Sequence, residues 1–258
     1  MRAHAFNALT LTGRAHTHVV QIPELRCTLH RAVVRPFLRL RAAAAREGLD
    51  LAAASSFRDF GAQLRIWNEK WTGARVILDR GGRPLDGASL TPVRRVDAIL
   101  TWSAAPGTSR HHWGTDFDVW DKAAVAPDYR LKLVPEEYSE HGPFGRLTAW
   151  LNRNMARYGF FRPYVFDRGG VQPEPWHLSH AATAAQASRR LRLATLYGAL
   201  EHAEIEGKSA LLRRLPVVYR RYVRNVERPV IPRRPSATAP RGVRASARAR
   251  SGPGRARR

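Results

Sequence analysis

The chain has 258 residues, 44% of them hydrophobic, so it is long enough to bury a sizeable core within a single domain. It carries 44 lysine and arginine residues against 21 aspartate and glutamate residues, a formal net charge of +23. The single cysteine excludes an intrachain disulfide, and no apolar stretch approaches the length of a membrane-spanning helix.

The N-terminal segment, residues 1–22, has no strong hydrophobic periodicity and is predicted to be an extension. It also lacks the continuous apolar core of a clear secretory signal. From Leu25 onwards, apolar residues recur at helical spacing as far as Gly48, which is a typical helix stop. Pro36 within this run either kinks the helix or marks the first turn of a second one.

A short strand and two helices are predicted next. Residues 49–55 indicate a buried strand, after which Asp59 is a suitable N-cap for a helix. The glycine-rich residues 73–90 indicate a loop or a small hairpin. Thr91 and Pro92 form an N-cap and first-turn pair, so a further helix should begin there.

The segment from Ser109 to Asp118 combines two adjacent histidines with two aspartates. Seven positions separate His111 from Asp118, but Gly114 and a β-branched threonine between them disfavour a helix. The alternation from Asp116 onwards instead predicts a strand, with His111 on a bend before it. Asp116 and Asp118 would then share one face of that strand.

A second polar segment contains Glu174 and His177. Pro175 disfavours a helical conformation at Glu174, which argues against the H-E-x-x-H arrangement with both histidines on one helix face. Residues 160–178 contain apolar runs on both sides of a turn-like sequence and predict a hairpin. His177 would lie on its returning strand, beside the strand that carries Asp118.

Together the two segments contain the parts of a catalytic zinc site. The imidazoles of His111 and His177 and the carboxylate of Asp118 would leave one coordination position open for water. Glu174 nearby can accept a proton from that water. One histidine carries little information in a chain with ten, but the ordered occurrence of all four residues predicts a Zn²⁺ hydrolase.

These segments resemble the VanY-like carboxypeptidases and VanX-like dipeptidases, which cleave D-alanyl-D-alanine and related peptidoglycan peptides. Their fold is related to that of lysostaphin-type enzymes and the hedgehog signalling domain. The family pattern, S-x-H-x-x-G-x-A-x-D followed by E-x-W-H, is matched at Ser109, His111, Gly114, Asp118, Glu174, Trp176 and His177. The chain departs from the pattern at Asp116, where the family has alanine. This carboxylate would lie on the metal-facing side without removing a ligand.

A third match lies upstream, where Ser55-Ser56-Phe57-Arg58 and Gln63 resemble the family's S-G-Y-R-x-x-x-x-Q segment. The resemblance implies that Arg58 stabilises the oxyanion, since a fixed guanidinium beside a developing negative charge is a strong electrostatic aid. It also implies that Glu174 is the general base and then the proton donor. Gln63 and Ser109 are expected to contact the substrate, and Trp176 to pack behind the ligands and orient them.

The predicted fold is α+β, one domain with a central antiparallel sheet that carries the zinc site and is flanked by helices. Residues 1–22 would be the N-terminal extension, residues 23–226 the zinc peptidase domain with C-terminal helices, and residues 227–258 a basic tail. From residue 228 onwards the chain has ten arginines and no acidic residue, a composition that predicts disorder. Without these arginines the formal net charge falls from +23 to +13.

The expected partners are peptidoglycan or its peptide precursors, and the protein is expected to be a monomer. The basic tail could contact an anionic polymer or membrane surface. It lacks aromatic residues for base stacking, so no specific nucleic acid is expected. The substrate favours the cell envelope or periplasm, whereas the lack of a clear signal segment leaves a cytoplasmic location open.

The leading prediction is a zinc-dependent D,D-carboxypeptidase. One alternative is a catalytically silent zinc module that binds peptidoglycan or a protein, but such a module would need neither Glu174 nor Arg58. A nucleic-acid-binding protein is the other alternative, and it leaves the histidines and carboxylates unexplained. The sequence does not distinguish a carboxypeptidase from a dipeptidase or an endopeptidase.

Overall fold

A computed structural model describes residues 6–229, which form α-helices and short antiparallel strands. The helices are α1 (Ala8–Leu11), α2 (Arg31–Ala45), α3 (Phe60–Thr72), α4 (Pro92–Trp102), α5 (Gly145–Asn154), α6 (Ala181–Arg190), α7 (Leu193–Glu201) and α8 (Lys208–Val218). The strands are β1 (Val19–Ile22), β2 (Cys27–His30), β3 (Leu51–Ser55), β4 (Ile77–Leu78), β5 (Pro84–Leu85), β6 (Asp116–Asp121), β7 (Phe160–Phe161) and β8 (His177–His180).

The central sheet has four strands in the order β3-β6-β8-β7, and all neighbours are antiparallel. Its register places Asp118 of β6 directly opposite His177 of β8. On the other side of β6, the register shifts between Ala53 and Ser55, and Ser55 then pairs with Asp118. The predicted α+β fold with a central antiparallel sheet is therefore confirmed.

One face of this sheet is covered by helices α2 and α5. Phe117 and Leu178 are fully buried there, in a core that also contains Phe37 of α2 and Leu147 of α5. Successive side chains of a strand point to opposite faces. The carboxylates beside Phe117 therefore point away from this core, towards the other side of the sheet.

A second core lies among α3, α4 and the C-terminal helices. It contains Trp67 of α3, Leu100 of α4 and Leu211 of α8, together with Trp113 from the segment that precedes β6. Burial of these large apolar side chains stabilises the helices and the segment before β6.

Several local predictions are confirmed. The side chain of Asp59 accepts a hydrogen bond from the Ala62 amide at 2.7 Å and caps α3. Thr91 caps α4, which begins at Pro92. The glycine-rich segment contains the β4–β5 hairpin.

The N-terminal segment differs from the predicted extension. Within residues 6–22, Leu11 is buried in the second core and Val19 pairs with His30 across the β1–β2 ladder. The predicted helix from Leu25 was wrong at its start, since α2 begins only at Arg31. The apolar residues before Arg31 are compatible with a strand as well as with a helix. Pairing with β1 stabilises the strand, β2, at this point. Pro36 lies inside α2.

The predicted hairpin over residues 160–178 is reduced to short strand ends. Phe160 and Phe161 pair with His180 and Ser179, and no further strand is assigned between residues 162 and 176. This irregular segment runs along the polar region instead of extending the sheet.

The predicted tail begins with a residue that contacts the folded part. The backbone amide of Glu227 donates to the Pro163 carbonyl at 2.9 Å, and its carboxylate pairs with Arg168 at 2.9 Å. The rest of the predicted tail, from residue 230, lies outside the described residues. Within residues 6–229, no helix is long and apolar enough to cross a membrane.

Candidate metal centre

Three side chains from separate elements converge beside the central sheet. His111 lies in a 3-10 helix, Arg110–Trp113, which ends at Gly114 in the left-handed conformation with φ of 63°. A Cβ atom at Gly114 would lie 2.8 Å from the backbone nitrogen of His30, so only glycine fits this turn without displacement. The turn delivers the chain into β6, and the β6–β8 register adds His177.

The candidate ligand atoms of His111, Asp118 and His177 all lie within 4.8 Å of one another. His111 Nε2 is 3.5 Å from Asp118 Oδ2, and His177 Nδ1 is 3.3 Å from Asp118 Oδ1. All three residues are buried. Two imidazoles and one carboxylate form the donor set of a catalytic zinc site.

Hydrogen bonds fix the tautomer of both histidines. His111 Nδ1 is 2.8 Å from the carbonyl oxygen of Ser56, and because a carbonyl only accepts, Nδ1 is the donor. Burial lowers the pKa of His111 to about 4, which favours the neutral ring with a free lone pair on Nε2. His177 Nε2 donates to Asp116 Oδ1 at 3.1 Å, so its Nδ1 faces Asp118.

The residues present fit a bound cation. Among the described residues, His177 Nδ1 and Asp118 Oδ1 are buried and 3.3 Å apart, but neither atom makes a hydrogen bond of normal geometry. Burial opposes a charge on His177, but the carboxylates of Asp116, Asp118 and Glu174 outweigh it and raise the pKa of His177 well above its usual range. A positive charge is favoured at this point, and either a proton on His177 or a metal ion would supply it.

Asp116 lies behind His177 in a buried ion pair. Its Oδ1 accepts from Arg110 Nε at 2.7 Å, and Arg110 Nη2 donates to Ser179 Oγ at 2.7 Å. Burial alone would raise the pKa of Asp116, but Arg110 and His177 hold it well below its usual range. Asp116 is thus an ionised carboxylate that orients His177. The sequence placed it on the metal-facing side, and the structure adds Arg110 as its partner.

Glu174 is the fourth polar residue of the cluster. Its Oε2 lies 3.1 Å from His177 Nδ1, and its backbone amide donates to the Tyr164 carbonyl at 2.9 Å. Burial raises the pKa of Glu174, so this carboxylate holds a proton more readily than a solvated one does. A carboxylate of this kind can take up a proton and release it again.

Arg58 brings a buried positive charge to the same region. Its Nη1 donates to Gln63 Oε1 at 2.9 Å and its Nη2 to Ser55 Oγ at 3.0 Å. The backbone amide of Arg58 also donates to the carbonyl of His111 at 3.2 Å. Burial lowers the pKa of Arg58, while Asp118 and Glu174 favour its charged form.

The structure places Gln63 differently from the expected substrate contact. Gln63 is fully buried, and its Nε2 donates to the Ala104 carbonyl at 2.7 Å while its Oε1 holds Arg58. Ser109 and Trp176, in contrast, line the same cavity as the candidate ligands. Trp176 also packs on Tyr138, with ring centroids 5.5 Å apart.

Two further residues support the site and were not predicted from the sequence. His112 donates from Nδ1 to the Arg58 carbonyl at 2.6 Å and accepts at Nε2 from the Gly107 amide at 3.0 Å. Tyr164 packs edge-on against His177 with ring centroids 5.1 Å apart. The adjacency of His112 to His111 was a usable signal, whereas nothing in the sequence singled out Tyr164.

These side chains open into a cavity of about 890 Å³. At one end it is lined by the candidate ligands with Glu174 and Arg58, and elsewhere by residues of α3, α4 and the β4–β5 hairpin. A cavity of this size is in the range of pockets that hold small organic ligands.

Comparison with known proteins identifies the family. The profile of the family described as VanY, D-alanyl-D-alanine carboxypeptidase, matches residues 26–183. An uncharacterised protein of Haemophilus influenzae is 40% identical over 97 residues, which are 36% of this chain and 66% of that protein. A second one from the same organism is 32% identical over 117 residues, 45% of this chain and 89% of that protein.

A D-alanyl-D-alanine carboxypeptidase of Enterococcus faecalis is 27% identical over 156 residues, and the match spans 59% of this chain but only 48% of that enzyme. Among solved structures, VanYB in complex with D-Alanine-D-Alanine is 22% identical, with a TM-score of 0.47, over 70% of this chain and 87% of that one. The profile match extends over more than half of the chain and includes all three candidate ligands. The protein therefore belongs to the VanY D-alanyl-D-alanine carboxypeptidase family.

Proposed function

We propose that this protein is a zinc-dependent D,D-carboxypeptidase that removes the C-terminal D-alanine from peptidoglycan stem peptides. The observation that carries the proposal is the convergence of His111, Asp118 and His177 within 4.8 Å, with Glu174 and Arg58 beside them. The Enterococcus faecalis relative, which is named as such a carboxypeptidase, supports the same reaction.

Zinc would be held by His111 Nε2, the Asp118 carboxylate and His177 Nδ1, and when bound it supplies a Lewis acid that lowers the pKa of a coordinated water. Glu174 accepts a proton from the attacking water and returns it to the leaving amine. Its buried position and raised pKa suit a group that must both take up and release a proton.

Arg58 stabilises the negative charge that develops on the scissile carbonyl oxygen. Its guanidinium is already held by Ser55 and Gln63, so little reorganisation is needed during the reaction. Ser109 lines the cavity next to His111, where its hydroxyl can donate to the terminal carboxylate of the peptide. Since peptidoglycan lies outside the cytoplasm, this function also favours a location in the cell envelope.

The test is hydrolysis of defined peptides ending in D-alanyl-D-alanine by the zinc-loaded protein, with mass spectrometry of the products. Release of one D-alanine is expected, and Glu174→Gln should lower turnover by about two to four orders of magnitude while zinc remains bound. Glu140→Gln is the matched control, because Glu140 is exposed and does not line the cavity.

A different product would revise the proposal in a defined way. Release of a dipeptide or cleavage within a cross-link would replace the carboxypeptidase assignment by a dipeptidase or an endopeptidase. Stoichiometric zinc without hydrolysis of any of these peptides would instead indicate a zinc module that only binds.

A further inference from the structure

The cavity has an arm that the proposed reaction does not use. Beyond the metal centre it extends between α3, α4 and the β4–β5 hairpin, and Ile66, Leu78 and Trp102 line this part. Lys70 of α3 also lines it. We call this region the hairpin arm.

Lys70 is an unusual lysine, because only 9% of the residue is exposed. Lysine is almost never buried without a partner. No hydrogen bond or ion pair joins the side chain of Lys70 to any residue within 6–229, and the carboxylate next to it in sequence, Glu69, pairs with Arg75 at 3.1 Å. Burial and the nearby Arg75 both lower the pKa of Lys70.

The remainder of the chain offers no side chain that could neutralise Lys70. Residues 1–5 and 230–258 contain no aspartate or glutamate. An ammonium group that is largely desolvated and has no partner lowers the stability of the fold. Such a group is complementary to an anion that enters the cavity.

The other cations that line the cavity are already paired or engaged. Arg58 is held by Ser55 and Gln63 beside the carboxylates of the metal centre. Arg80 pairs with Asp167, and Arg110 pairs with Asp116. Lys132 is exposed to solvent, so the hairpin arm has Lys70 as its buried cation without a counter-ion among the described residues.

We propose that Lys70 binds a carboxylate group of the peptide substrate in the hairpin arm, an inference that rests on the proposed function. The carboxylate has two sources in such a peptide: its C-terminus, or an acidic side chain upstream of the scissile bond. In both cases Lys70 determines specificity through substrate binding and does not take part in the chemical step.

The experiment is a double-mutant cycle between Lys70 and the peptide. Binding is measured by calorimetry in the Glu174→Gln background, in which turnover is strongly slowed. The probes are a peptide with a glutamate upstream of D-alanyl-D-alanine, the same peptide with glutamine there, and its C-terminal amide. Lys70→Met removes the charge at similar volume, and Lys122→Met is the control at an exposed lysine.

In protein that retains Lys70, replacing the contacted carboxylate of the peptide should weaken binding about tenfold or more, as is typical of charged hydrogen bonds. In Lys70→Met the same loss should have little effect. If the difference between the glutamate and glutamine peptides depends on Lys70, the contacted group is the side-chain carboxylate. If the difference between the free C-terminus and its amide depends on Lys70, the contacted group is the C-terminal carboxylate. In the active protein, which retains Glu174, Lys70→Met should raise KM and leave kcat nearly unchanged.

The thermal midpoint separates this role from a structural one. Because Lys70 is unpaired, Lys70→Met should keep or raise the midpoint, whereas a lysine needed for the fold would lower it. If neither carboxylate couples to Lys70, or if no carboxylate peptide binds, the proposal is overturned. If the active protein hydrolyses the peptides but no carboxylate couples to Lys70, only the role of Lys70 is rejected, and the proposed function stands.

Discussion

At the scale of single residues, the departure from the family pattern at Asp116 has a clear physical role. Its carboxylate accepts the Nε2 proton of His177 and is itself held by Arg110. A carboxylate behind a metal-binding histidine fixes the ring orientation and makes the opposite nitrogen a better ligand. The alanine of the family pattern could not do this, so this chain holds His177 by an additional ion pair.

We expect removal of the Asp116 carboxylate to weaken zinc binding by about 10- to 100-fold, the usual effect of losing such a partner. Asp116→Ala alone would also leave Arg110 buried without a counter-ion, which typically destabilises a protein by about 3–5 kcal/mol. The informative variant therefore combines Asp116→Ala with Arg110→Met. Chelator competition measures zinc affinity, and urea unfolding measures stability.

The double variant should recover most of the stability lost by Asp116→Ala but not the zinc affinity. Parent-like zinc affinity in the double variant would show that the ring of His177 is held sufficiently by its packing, for example against Tyr164.

At the scale of elements, the site depends on a sharp change of direction between a 3-10 helix and β6. Gly114 makes this turn with a positive φ, and its Cα faces Val19 and the backbone of His30. The same turn positions His111 relative to Asp118. The β1–β2 ladder, which the sequence did not predict, therefore forms the wall against which the metal-binding segment is packed.

Gly114→Ala is expected to lower the free energy of unfolding by clearly more than the ~1–2 kcal/mol that left-handed backbone costs a residue with a Cβ. The added Cβ would lie 2.5 Å from Val19 Cγ1 and 2.8 Å from the His30 nitrogen, so the ladder must move. Gly73→Ala is the matched control. Gly73 has a φ of 87°, but a Cβ there meets nothing within 4 Å.

Urea unfolding of both variants, with zinc analysis of the folded protein, separates backbone strain from the clash. Equal destabilisation by the two substitutions would mean that the β1–β2 ladder yields easily and does not support the site.

For the protein as a whole, the polar site makes stability depend on pH, because burial favours the neutral forms of His111 and His112. Burial lowers the pKa of His112 to about 3, against the weaker opposing effect of its hydrogen bond to the Arg58 carbonyl. The unfolded chain binds a proton at this residue near pH 6.5, whereas the folded chain does not. Protonation therefore favours unfolding.

Between about pH 6.5 and pH 3, we expect His112 to make the protein less stable as the pH falls, by up to ~1.4 kcal/mol per pH unit. Because the pKa of His112 is lower in the folded than in the unfolded protein, the free energy of unfolding rises with pH across this window. His112→Gln should reduce this slope. Urea unfolding of metal-free protein from pH 4.5 to pH 7.5 is the measurement, and identical slopes for parent and variant would contradict the expectation.

The local features of this protein are predictable from its amino-acid sequence. The caps at Asp59 and Thr91, the turn at Gly114 and the strand that carries Asp118 all follow from residue preferences over a few positions. The interpretation of residues 160–178 as a hairpin also placed His177 on a strand beside the one that carries Asp118. The sheet register confirms this neighbour, although the strands are shorter than predicted. The caps, the turn and the strand are predictable because each depends on backbone geometry within one short segment.

Contacts between groups that are distant along the chain became known only from the folded structure. The start of α2 depended on β1 pairing with β2, and the partner of Asp116 depended on how Arg110 folds back beneath His177. Nothing in the sequence indicated that Lys70 is buried beside a cavity, without a carboxylate partner among the described residues. Pairing, desolvation and charge compensation are properties of the packed molecule, because they depend on neighbours that are remote along the chain.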